Sequence, residues 1–511
     1  MAFYGFLSIL LWVPLIASPI TYLLSKNGPG RAKVFATIVS ALEFIYSLVL
    51  WYLYVARDKY SDLIAVADGF VFHEKIDWIV VGNLKIYYAL GVDGLSLPLV
   101  VLTTLIFLVS IISSYYIHER EPLYYSLMLL LMAGVMGTFI ALDLFLFYIA
   151  WEIVLVPMFF IIAYWGGPRR RYSAFKFFIY THLASLFMLI GIFIVFKAGN
   201  YTFYMPELKT NLANYAELSK LILAFYLMAV GFITKFPQVP VHTWLPDAHV
   251  EAPSPGSSVL AGLLLKMGGY GLIRLGVWML PKQVFTDPSS NVRLVLALLG
   301  MVSMAYTAFV ALSQKDMKRL IAYSSIGHMG IVSLGIASYT AEGINGAIFM
   351  MIAHGVISPT LFLISGVIQH NAGTRDMTIL KGLWKKLPIT STLLVFSALA
   401  SAGLPSLAGF VAEFLTFAGL FKSDMFGYGH TYFWITVVAV MSVIVVAGYY
   451  LWMLQRIVFG EPEHIKVEHK PHFYEIFPLW VLSFFILLLG LLPFIVLKIT
   501  DQFVSIIIPP A

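Results

Sequence analysis

Long apolar runs follow one another along almost the whole chain, separated by mostly short polar segments. A helix needs about 20 predominantly apolar residues to cross the hydrocarbon core of a bilayer. Windows of that length predict about 14 membrane-spanning helices, so we expect residues 1–511 to form one all-α, polytopic membrane domain. The predicted helices begin near residues 3, 32, 90, 122, 143, 172, 219, 256, 291, 318, 343, 388, 432 and 473.

The composition agrees with this pattern and narrows the chemistry. Of the 511 residues, 60% are hydrophobic and only 11% are charged, and the mean hydropathy is +0.89, which no soluble domain of this length would have. The chain contains no cysteine, which rules out an iron–sulfur cluster bound through its own thiolates. We therefore predict no cofactor in this chain. Because the net charge of +6 lies mostly in short loops, nucleic acid is not a predicted partner.

Basic residues are distributed unevenly between the two sides of the predicted membrane domain. Most of the 32 lysines and arginines lie in loops that follow odd-numbered helices, with Arg169, Lys318 and Lys385 as examples. Such loops are normally cytoplasmic. With an even number of helices, both termini are then predicted on the non-cytoplasmic side. The first apolar run lacks the basic start and the cleavage pattern of a signal peptide, so we expect it to be retained.

Prolines interrupt several of the predicted helices. Irregular backbone is tolerated in a membrane only inside protein or beside water, and breaks at corresponding places in two halves point to an inverted repeat. We predict two five-helix repeats, residues 122–280 and residues 291–458, with helices 7 and 12 discontinuous. The predicted breaks are at Pro237 and Pro240 in helix 7, at Ser358-Pro359 in helix 11 and at Pro405 in helix 12.

Lys235 is a charged residue inside an apolar run. A lysine at the centre of a bilayer costs roughly 2.5–3.5 kcal/mol, so it is first interpreted as functional and as having a partner. Glu152, in the fifth helix, is the predicted partner, and a pair about 4 Å apart gains about 4 kcal/mol at an effective dielectric constant near 20. We predict a switch in which Lys235 keeps its proton while Glu152 is close and releases it when Glu152 withdraws. The alternative is a static ion pair that orients two helices.

Further ionisable residues lie inside predicted helices. Lys266 is too deep to reach the surface and is predicted to relay a proton, whereas Arg274 is nearer a helix end and is expected to extend toward water. His328 and His354 are suited to exchanging protons with a buried lysine. A buried histidine is equally often only hydrogen-bonded, and this is the interpretation that we favour for His182.

Two carboxylates and one polar loop complete the candidate set. Glu413 lies past the break at Pro405, where a carboxylate can accept a last proton and release it to water, or can cap freed backbone donors. Glu43, in the second helix, has no predicted role. The loop between helices 7 and 8 matches no zinc spacing, so we predict a proton-entry funnel or simple solvation and no metal. Its polar residues are His242, Asp247, His249 and Glu251.

Several motifs carry a family resemblance. They are Gly91-Val-Asp-Gly-Leu-Ser-Leu-Pro, Trp151-Glu, Lys235-Phe-Pro, His242-Thr-Trp-Leu-Pro-Asp-Ala-His, Gln314-Lys-Asp-Met-Lys-Arg-Leu-Ile-Ala-Tyr-Ser-Ser and Gly409-Phe-Val-Ala-Glu-Phe. Together they resemble the antiporter-like membrane subunits of respiratory complex I and its relatives, over about residues 90–420. Glu413 stands where sibling subunits of that family usually carry lysine.

The resemblance implies a proton-translocating subunit of an NADH-quinone oxidoreductase in the cell inner (plasma) membrane, with fourteen helices and two inverted repeats. It implies sibling antiporter-like subunits and membrane lipid as partners, and FMN, iron–sulfur clusters and quinone in other subunits. It also implies roles for six residues. Glu152 and Lys235 resemble the pair of the input half-channel (122–280), Lys266 the central relay, His328 and His354 the polar axis, and Glu413 the terminal carboxylate of the output half-channel (291–458).

Other functions fit the same motifs. One is a subunit of a multisubunit Na⁺/H⁺ antiporter, although the lysine expected in its related subunits is absent at position 413. Another is a subunit of a ferredoxin-, F420H2- or hydrogenase-linked complex. A third is a membrane scaffold in which the buried charges form static ion pairs.

Overall fold

The chain is described by a computed structural model for residues 5–24, 30–60, 62–82, 84–423, 430–462, 467 and 470–508. Most of these residues are helical. The helices are α1 (Phe6–Leu23), α2 (Arg31–Val55), α3 (Ser96–Ser113), α4 (Glu121–Ile140), α5 (Leu144–Ile153), α6 (Leu155–Trp165), α7 (Arg170–Ala198), α8 (Met205–Leu212), α9 (Leu218–Lys235), α10 (Trp244–Glu251), α11 (Ser254–Val259), α12 (Leu265–Gly271), α13 (Gln283–Thr286), α14 (Val292–Leu312), α15 (Met317–Ser338), α16 (Ala341–Ala372), α17 (Leu383–Lys386), α18 (Pro388–Ser401), α19 (Ala408–Lys422), α20 (Thr431–Ile457), α21 (Phe473–Leu491) and α22 (Phe494–Ile507).

Within the described residues, 13 helical stretches are long and apolar enough to cross a membrane. A further crossing is divided between α18 and α19. At about 1.5 Å per residue neither piece reaches across a core of about 30 Å, so only the two together can span it. The predicted polytopic all-α class with about 14 crossings is therefore confirmed. The helix α22 after the last crossing was not predicted.

A three-stranded antiparallel sheet occupies the polar segment between α2 and α3, in the order β1 (Val66–Ala67), β2 (Phe70–Val81) and β3 (Leu84–Val92). The predicted start of the third helix near residue 90 is wrong, because the apolar run before it forms β3. Its aromatic and branched side chains suit a strand. Asp93 then opens α3, since its Oδ1 accepts hydrogen bonds from the N–H groups of Leu95 and Ser96, each at 3.1 Å.

Two of the three predicted breaks are present. Helix 7 stops at the end of α9 and resumes as α10, and helix 12 is divided around Pro405. The predicted break at Ser358-Pro359 is wrong, because α16 continues through Pro359. The proline ring packs on Gly262, where a Cβ would lie only 2.9 Å from Pro359 Cγ. Close neighbours of this kind let a proline remain inside a membrane helix.

Two irregularities were not predicted, and both lie beside candidate residues. The fifth crossing is interrupted at Val154, between α5 and α6, directly after Glu152. The eighth crossing is π-helical at Leu260–Leu264 and Leu272–Trp278, on either side of the short α12 that carries Lys266. Wider π-helical turns are frequent at functional sites.

The bundle has a buried centre and a lipid-like exterior. The most hydrophobic windows of the eighth crossing and of α16 are completely buried, and that of α15 nearly so. In contrast, α1, α2, α7 and α20 expose many large apolar side chains. The buried ionisable residues of the eighth crossing, α15 and α16 therefore face protein and not lipid.

Both described ends of the chain lie on the same face as the sheet. The N–H of Leu7 donates to Glu74 Oε1 of β2 at 2.7 Å. At the other end, α22 packs its Ile499 carbonyl against Gly94, where no side chain would fit. The opposite face carries the 167–170 loop and the start of α15. There Lys318, which was expected to lie in a loop, is buried and donates to the carbonyl of Ala252.

Candidate functional site

Lys235 occupies the last position of α9, where a cation is favoured by the helix dipole. Its side chain is buried, and its Nζ donates to the carbonyl of Trp151 at 3.2 Å and lies 4.3 Å from the centre of the Trp151 ring. A tryptophan face attracts a cation at this distance. We name Lys235, Trp151, Glu152 and His182 the lysine cluster.

Glu152 does not bind Lys235 directly in this structure, so of the two positions in the predicted switch it occupies the withdrawn one. Its Oε2 lies 2.9 Å from Nδ1 of His182 on α7, and the described ion pairs include none between Glu152 and Lys235. The reason is helical geometry. Successive residues of a helix point about 100° apart, so when Trp151 faces α9 the next side chain faces α7. Glu152 nevertheless remains within electrostatic range of Lys235. His182, expected to be only hydrogen-bonded, is the partner that the sequence did not identify.

Lys266 lies at the centre of the bundle and is not exposed at all. Its Nζ donates to the carbonyl of Ala261, which the adjacent π-helical turn supplies, and lies 2.7 Å from Nδ1 of His354 on α16. The ring of His354 is 5.3 Å, between centroids, from the ring of His328 on α15. Three predicted residues on three different helices are thus brought together, and we name them the histidine cluster.

His328 faces backbone carbonyls with both ring nitrogens. Nδ1 lies 2.9 Å from the carbonyl of Ser324, and Nε2 lies 2.9 Å from that of Ser401 in α18. A neutral imidazole has one donor and a protonated imidazole has two, so this site can satisfy both forms and is fully satisfied by the protonated one. The arrangement is suited to a group that carries a proton transiently.

Glu413 is buried in α19 and shares a small cavity with His328, Ser324 and Tyr449. Gly403, at the break of helix 12, has a φ of +74°, and a Cβ there would collide with the Glu413 carboxylate. A glycine is therefore required both by the backbone conformation and by the close approach of the carboxylate.

Hydroxyl groups that the sequence did not single out extend from His328 toward the cavity of Glu413. The phenol oxygen of Tyr450 lies 2.6 Å from Ser324 Oγ, and Ser401 Oγ donates to it at 2.8 Å. The adjacent Tyr449 faces the cavity of Glu413, with its ring 4.7 Å from that of Tyr450. The available signal was a pair of tyrosines in an apolar run, since a buried phenol requires a hydrogen-bond partner.

The polar loop between helices 7 and 8 does not form one site. Asp247 binds Lys176 at 2.7 Å and Arg319 at 3.0 Å, while Glu251 accepts the N–H of Arg169 at 2.8 Å. Among the described residues, no three histidine or acidic side chains converge in a way that could hold a metal ion.

Within this loop His249 behaves differently from its neighbours. It is completely buried and its ring stacks on Phe362 at 4.3 Å between centroids. Neither ring nitrogen has a hydrogen-bond partner among the described side chains and backbone. It lies within electrostatic range of both Lys266 and Lys318, so of the four loop residues it is the one nearest in character to the histidine cluster.

Two other intramembrane charges lie outside these clusters. Arg274, expected to extend toward water, is completely buried and donates to Asp93 Oδ1 at 2.6 Å. The expectation is wrong because the sheet and α22 cover that end of the eighth crossing, which places the rings of Phe70 and Phe503 each 5.1 Å from the guanidinium. Glu43 is buried in α2, and one of its carboxylate oxygens has no partner in the described part of the chain.

Comparisons with known proteins agree on one family. A family model for NADH:quinone oxidoreductase/Mrp antiporter transmembrane regions matches residues 141–445, and one for the amino terminus of NADH-ubiquinone oxidoreductase chain 4 matches residues 63–143. The NADH-quinone oxidoreductase subunit M of Rhodobacter capsulatus is 39% identical over 89% of this chain and 86% of that protein. The F(420)H(2) dehydrogenase subunit M of Methanosarcina mazei is 37% identical over 95% and 94%.

A solved structure gives the same answer for the fold. A chain of respiratory complex I from Thermus thermophilus with bound NADH superposes with a TM-score of 0.83 at 26% identity, covering 98% of this chain and 99% of that chain. The similarity therefore extends over the whole bundle, including the sheet and both discontinuous crossings.

Proposed function

Because this chain belongs to the subunit M (chain 4) family of NADH:quinone oxidoreductases and Mrp antiporters, we propose that it translocates protons as a membrane subunit of a complex I-type quinone oxidoreductase. The observation that carries the proposal is the contact of Lys266 with His354, with His328 beyond it, in the buried centre. Intramembrane ionisable residues are costly, and a connected row of them is typical of a proton relay.

The proton path begins at the lysine cluster. Glu152 exchanges between His182, its partner here, and Lys235. When Glu152 approaches, it stabilises the charge of Lys235, and when it returns to His182 the desolvated ammonium releases its proton toward Lys266. No described side chain bridges the two lysines by hydrogen bonds, so this step requires water.

The second half of the path runs through the histidine cluster. Lys266 passes the proton to His354 and then to His328. From there the hydroxyl of Ser324, 3.3 Å from His328 Nδ1, and the hydroxyl of Tyr450 lead toward the cavity of Glu413, the terminal carboxylate. The predicted repeats, residues 122–280 and 291–458, make Lys235 and Glu413 counterparts, each beside the broken helix of its half.

The remaining parts of the machinery belong to other chains. We infer that FMN, iron–sulfur clusters and quinone reside in other subunits, and that sibling antiporter-like subunits and lipid cover the apolar exterior. We place the protein in the cell inner (plasma) membrane with both termini on the non-cytoplasmic side. The common face of α1, α22 and the sheet supports one side for both termini, and the basic loops after odd-numbered helices assign that side. Since a relative serves an F420H2 dehydrogenase, the electron donor is set by the partner subunits.

Na⁺/H⁺ exchange is the second candidate function, because the matching family model also includes Mrp antiporters. The chemistry of the buried row favours protons. Hard cations prefer several oxygen ligands, whereas both clusters consist mainly of lysine and histidine nitrogens. Vesicles that carry the complex but receive no electron donor should therefore show no Na⁺-driven proton movement, and such movement would favour the antiporter.

The direct test of the proposal is Lys235→Ala. We expect proton pumping to be abolished while the complex remains assembled, because no other described group can take the place of the ammonium next to Trp151. The readout is proton uptake by reconstituted vesicles per electron transferred. Lys220→Ala is the matched control, since Lys220 lies on the same helix but is exposed and pairs with Glu217 at 2.6 Å. Unchanged pumping in Lys235→Ala would refute the proposal.

A further inference from the structure

Two lysines converge on an open cavity at the face of the molecule that carries the sheet. The cavity has a volume of about 200 Å³ and lies between α8, the end of the eighth crossing and α22. Lys209 and Lys282 supply its basic wall, Trp278 and Tyr339 its aromatic wall, and Ile506 and Ile507 its apolar wall. None of these residues belongs to the proton path.

The two ammonium groups lack a direct ionic partner in the described part of the chain. Neither Lys209 nor Lys282 makes an ion pair with any residue that the structure describes. Lys209 Nζ lies 4.5 Å from the centre of the Trp278 ring. The guanidinium carbon of Arg274 lies 5.1 Å from the centre of the same ring, and Arg274 is paired with Asp93.

The environment of Lys209 favours the binding of an anion. Burial, and next the positive charge of Arg274, lower the pKa of Lys209, which lies in α8 outside the membrane-spanning segments. Both effects destabilise the ammonium and outweigh the opposing charge of Asp93, and an anionic ligand in the cavity would offset both. Lys282 is exposed and lines the same cavity, so both lysines can contact one ligand.

The cavity lies at the boundary between membrane and water. Trp278 is the last residue of the eighth crossing, and Lys282 follows directly outside it. Ile506, which is 59% exposed, gives the cavity an apolar wall that is open to the surroundings. Tryptophan and tyrosine are enriched at this depth, and lysines beside an apolar wall are complementary to an anionic lipid head group. A ligand that fits must have an anionic head and an apolar tail.

We propose that this cavity binds the phosphate of an anionic phospholipid between Lys209 and Lys282, with an acyl chain along Ile506 and Ile507 of α22. The lipid fills the gap between α22 and the end of the eighth crossing. It thereby stabilises the docking of α22 over the buried Arg274–Asp93 pair. This inference does not depend on the proton path.

The test is native mass spectrometry of the complex purified in mild detergent. The variant Lys209→Ala/Lys282→Ala should bind phosphatidylglycerol about thirtyfold more weakly than the wild type, since each basic residue near a membrane surface contributes roughly fivefold. Lys209→Arg/Lys282→Arg should retain the lipid because it preserves both charges. Lys220→Ala, which alters a lysine outside the cavity, should also retain it.

Three probes distinguish the sources of the anion. Wild-type complex is incubated with phosphatidylglycerol vesicles, with phosphatidylcholine vesicles or with inorganic phosphate alone. Selective retention of phosphatidylglycerol supports the proposal. Equal retention of phosphatidylcholine, occupancy by phosphate that excludes the lipid, or unchanged lipid in the double alanine variant overturns it. If the double variant does not assemble, Lys282→Ala alone is decisive, because the exposed Lys282 contributes charge without supporting the fold.

Discussion

The lysine cluster and the histidine cluster each contain a buried lysine, but the two lysines have different kinds of partner. Among the described groups, Lys235 contacts a ring and a backbone carbonyl, and its carboxylate neighbour is bound to His182 instead. Lys266 is bound to another titratable side chain, His354, and both residues are buried. The lysine cluster can change its contacts by the rotation of one carboxylate, whereas the histidine cluster changes state by moving a proton.

The surroundings of the two clusters explain this difference. Glu152 lies directly before the shift between α5 and α6, and Lys235 lies directly before the gap between α9 and α10. Helix ends of this kind can move with little cost. Lys266 and His354 lie within the completely buried parts of the eighth crossing and of α16. Movement that originates in partner subunits should therefore act on the lysine cluster. The histidine cluster should keep its geometry while it transfers protons.

The largest effect is expected from replacing Lys266 in the histidine cluster. Lys266→Met keeps the volume but leaves His354 without its proton donor. Proton pumping per electron should fall by at least about a hundredfold, the lower range for a positioned proton-transfer group. The measurement is dye-reported proton uptake by inverted membrane vesicles. Lys197→Met, an exposed lysine of α7, is the matched control. Equal pumping in the two variants would remove Lys266 from the path.

The number of crossings could be predicted from sequence because the requirement for about 20 apolar residues is local. The sheet could not, since the apolar run Leu84–Val92 is short enough to be either strand or helix start. The break at Pro405 and the continuity at Pro359 look alike in sequence. They differ because Gly262 of a distant crossing accommodates one of the two proline rings.

The candidate site residues, like the number of crossings, could be predicted from sequence only where the signal is local. A charge in an apolar run is a local signal, so Lys235, Lys266 and Glu413 could be identified as candidates. The partner of a charge depends on which face of a helix it occupies, and one residue changes that by about 100°. This is why Glu152 was assigned to Lys235 and is found on His182, and why Arg274 was expected at the surface and is found against Asp93.

A smaller effect is expected from removing the hydrogen-bond partner of Glu152. His182→Ala removes the described partner of Glu152, which should then remain near Lys235 for longer. A hydrogen bond to a charged group is worth about 1.5–3 kcal/mol, so the balance between the two positions should shift by at least about tenfold and pumping should slow to a similar degree. His182→Gln, which retains a hydrogen-bond donor, should recover part of the rate. The comparison of the two clusters fails if both variants pump like the wild type.

The smallest effect is expected beyond the histidine cluster. Tyr450→Phe removes one hydroxyl that lies between Ser324 and Ser401 and leaves the ring in place. Because a neutral hydrogen bond contributes about 0.5–1.5 kcal/mol, pumping should slow by roughly two- to tenfold, without loss of assembly. Tyr432→Phe, a second tyrosine of α20 that lies away from Ser324, is the comparison for a general effect on that helix.

A water molecule that takes the place of the missing hydroxyl would restore the rate. In that case, a deuterium isotope effect on pumping that is larger in Tyr450→Phe than in the wild type would show that the proton passes this point. An unchanged rate with an unchanged isotope effect would instead place the route from His328 to Glu413 on the other side of the cavity.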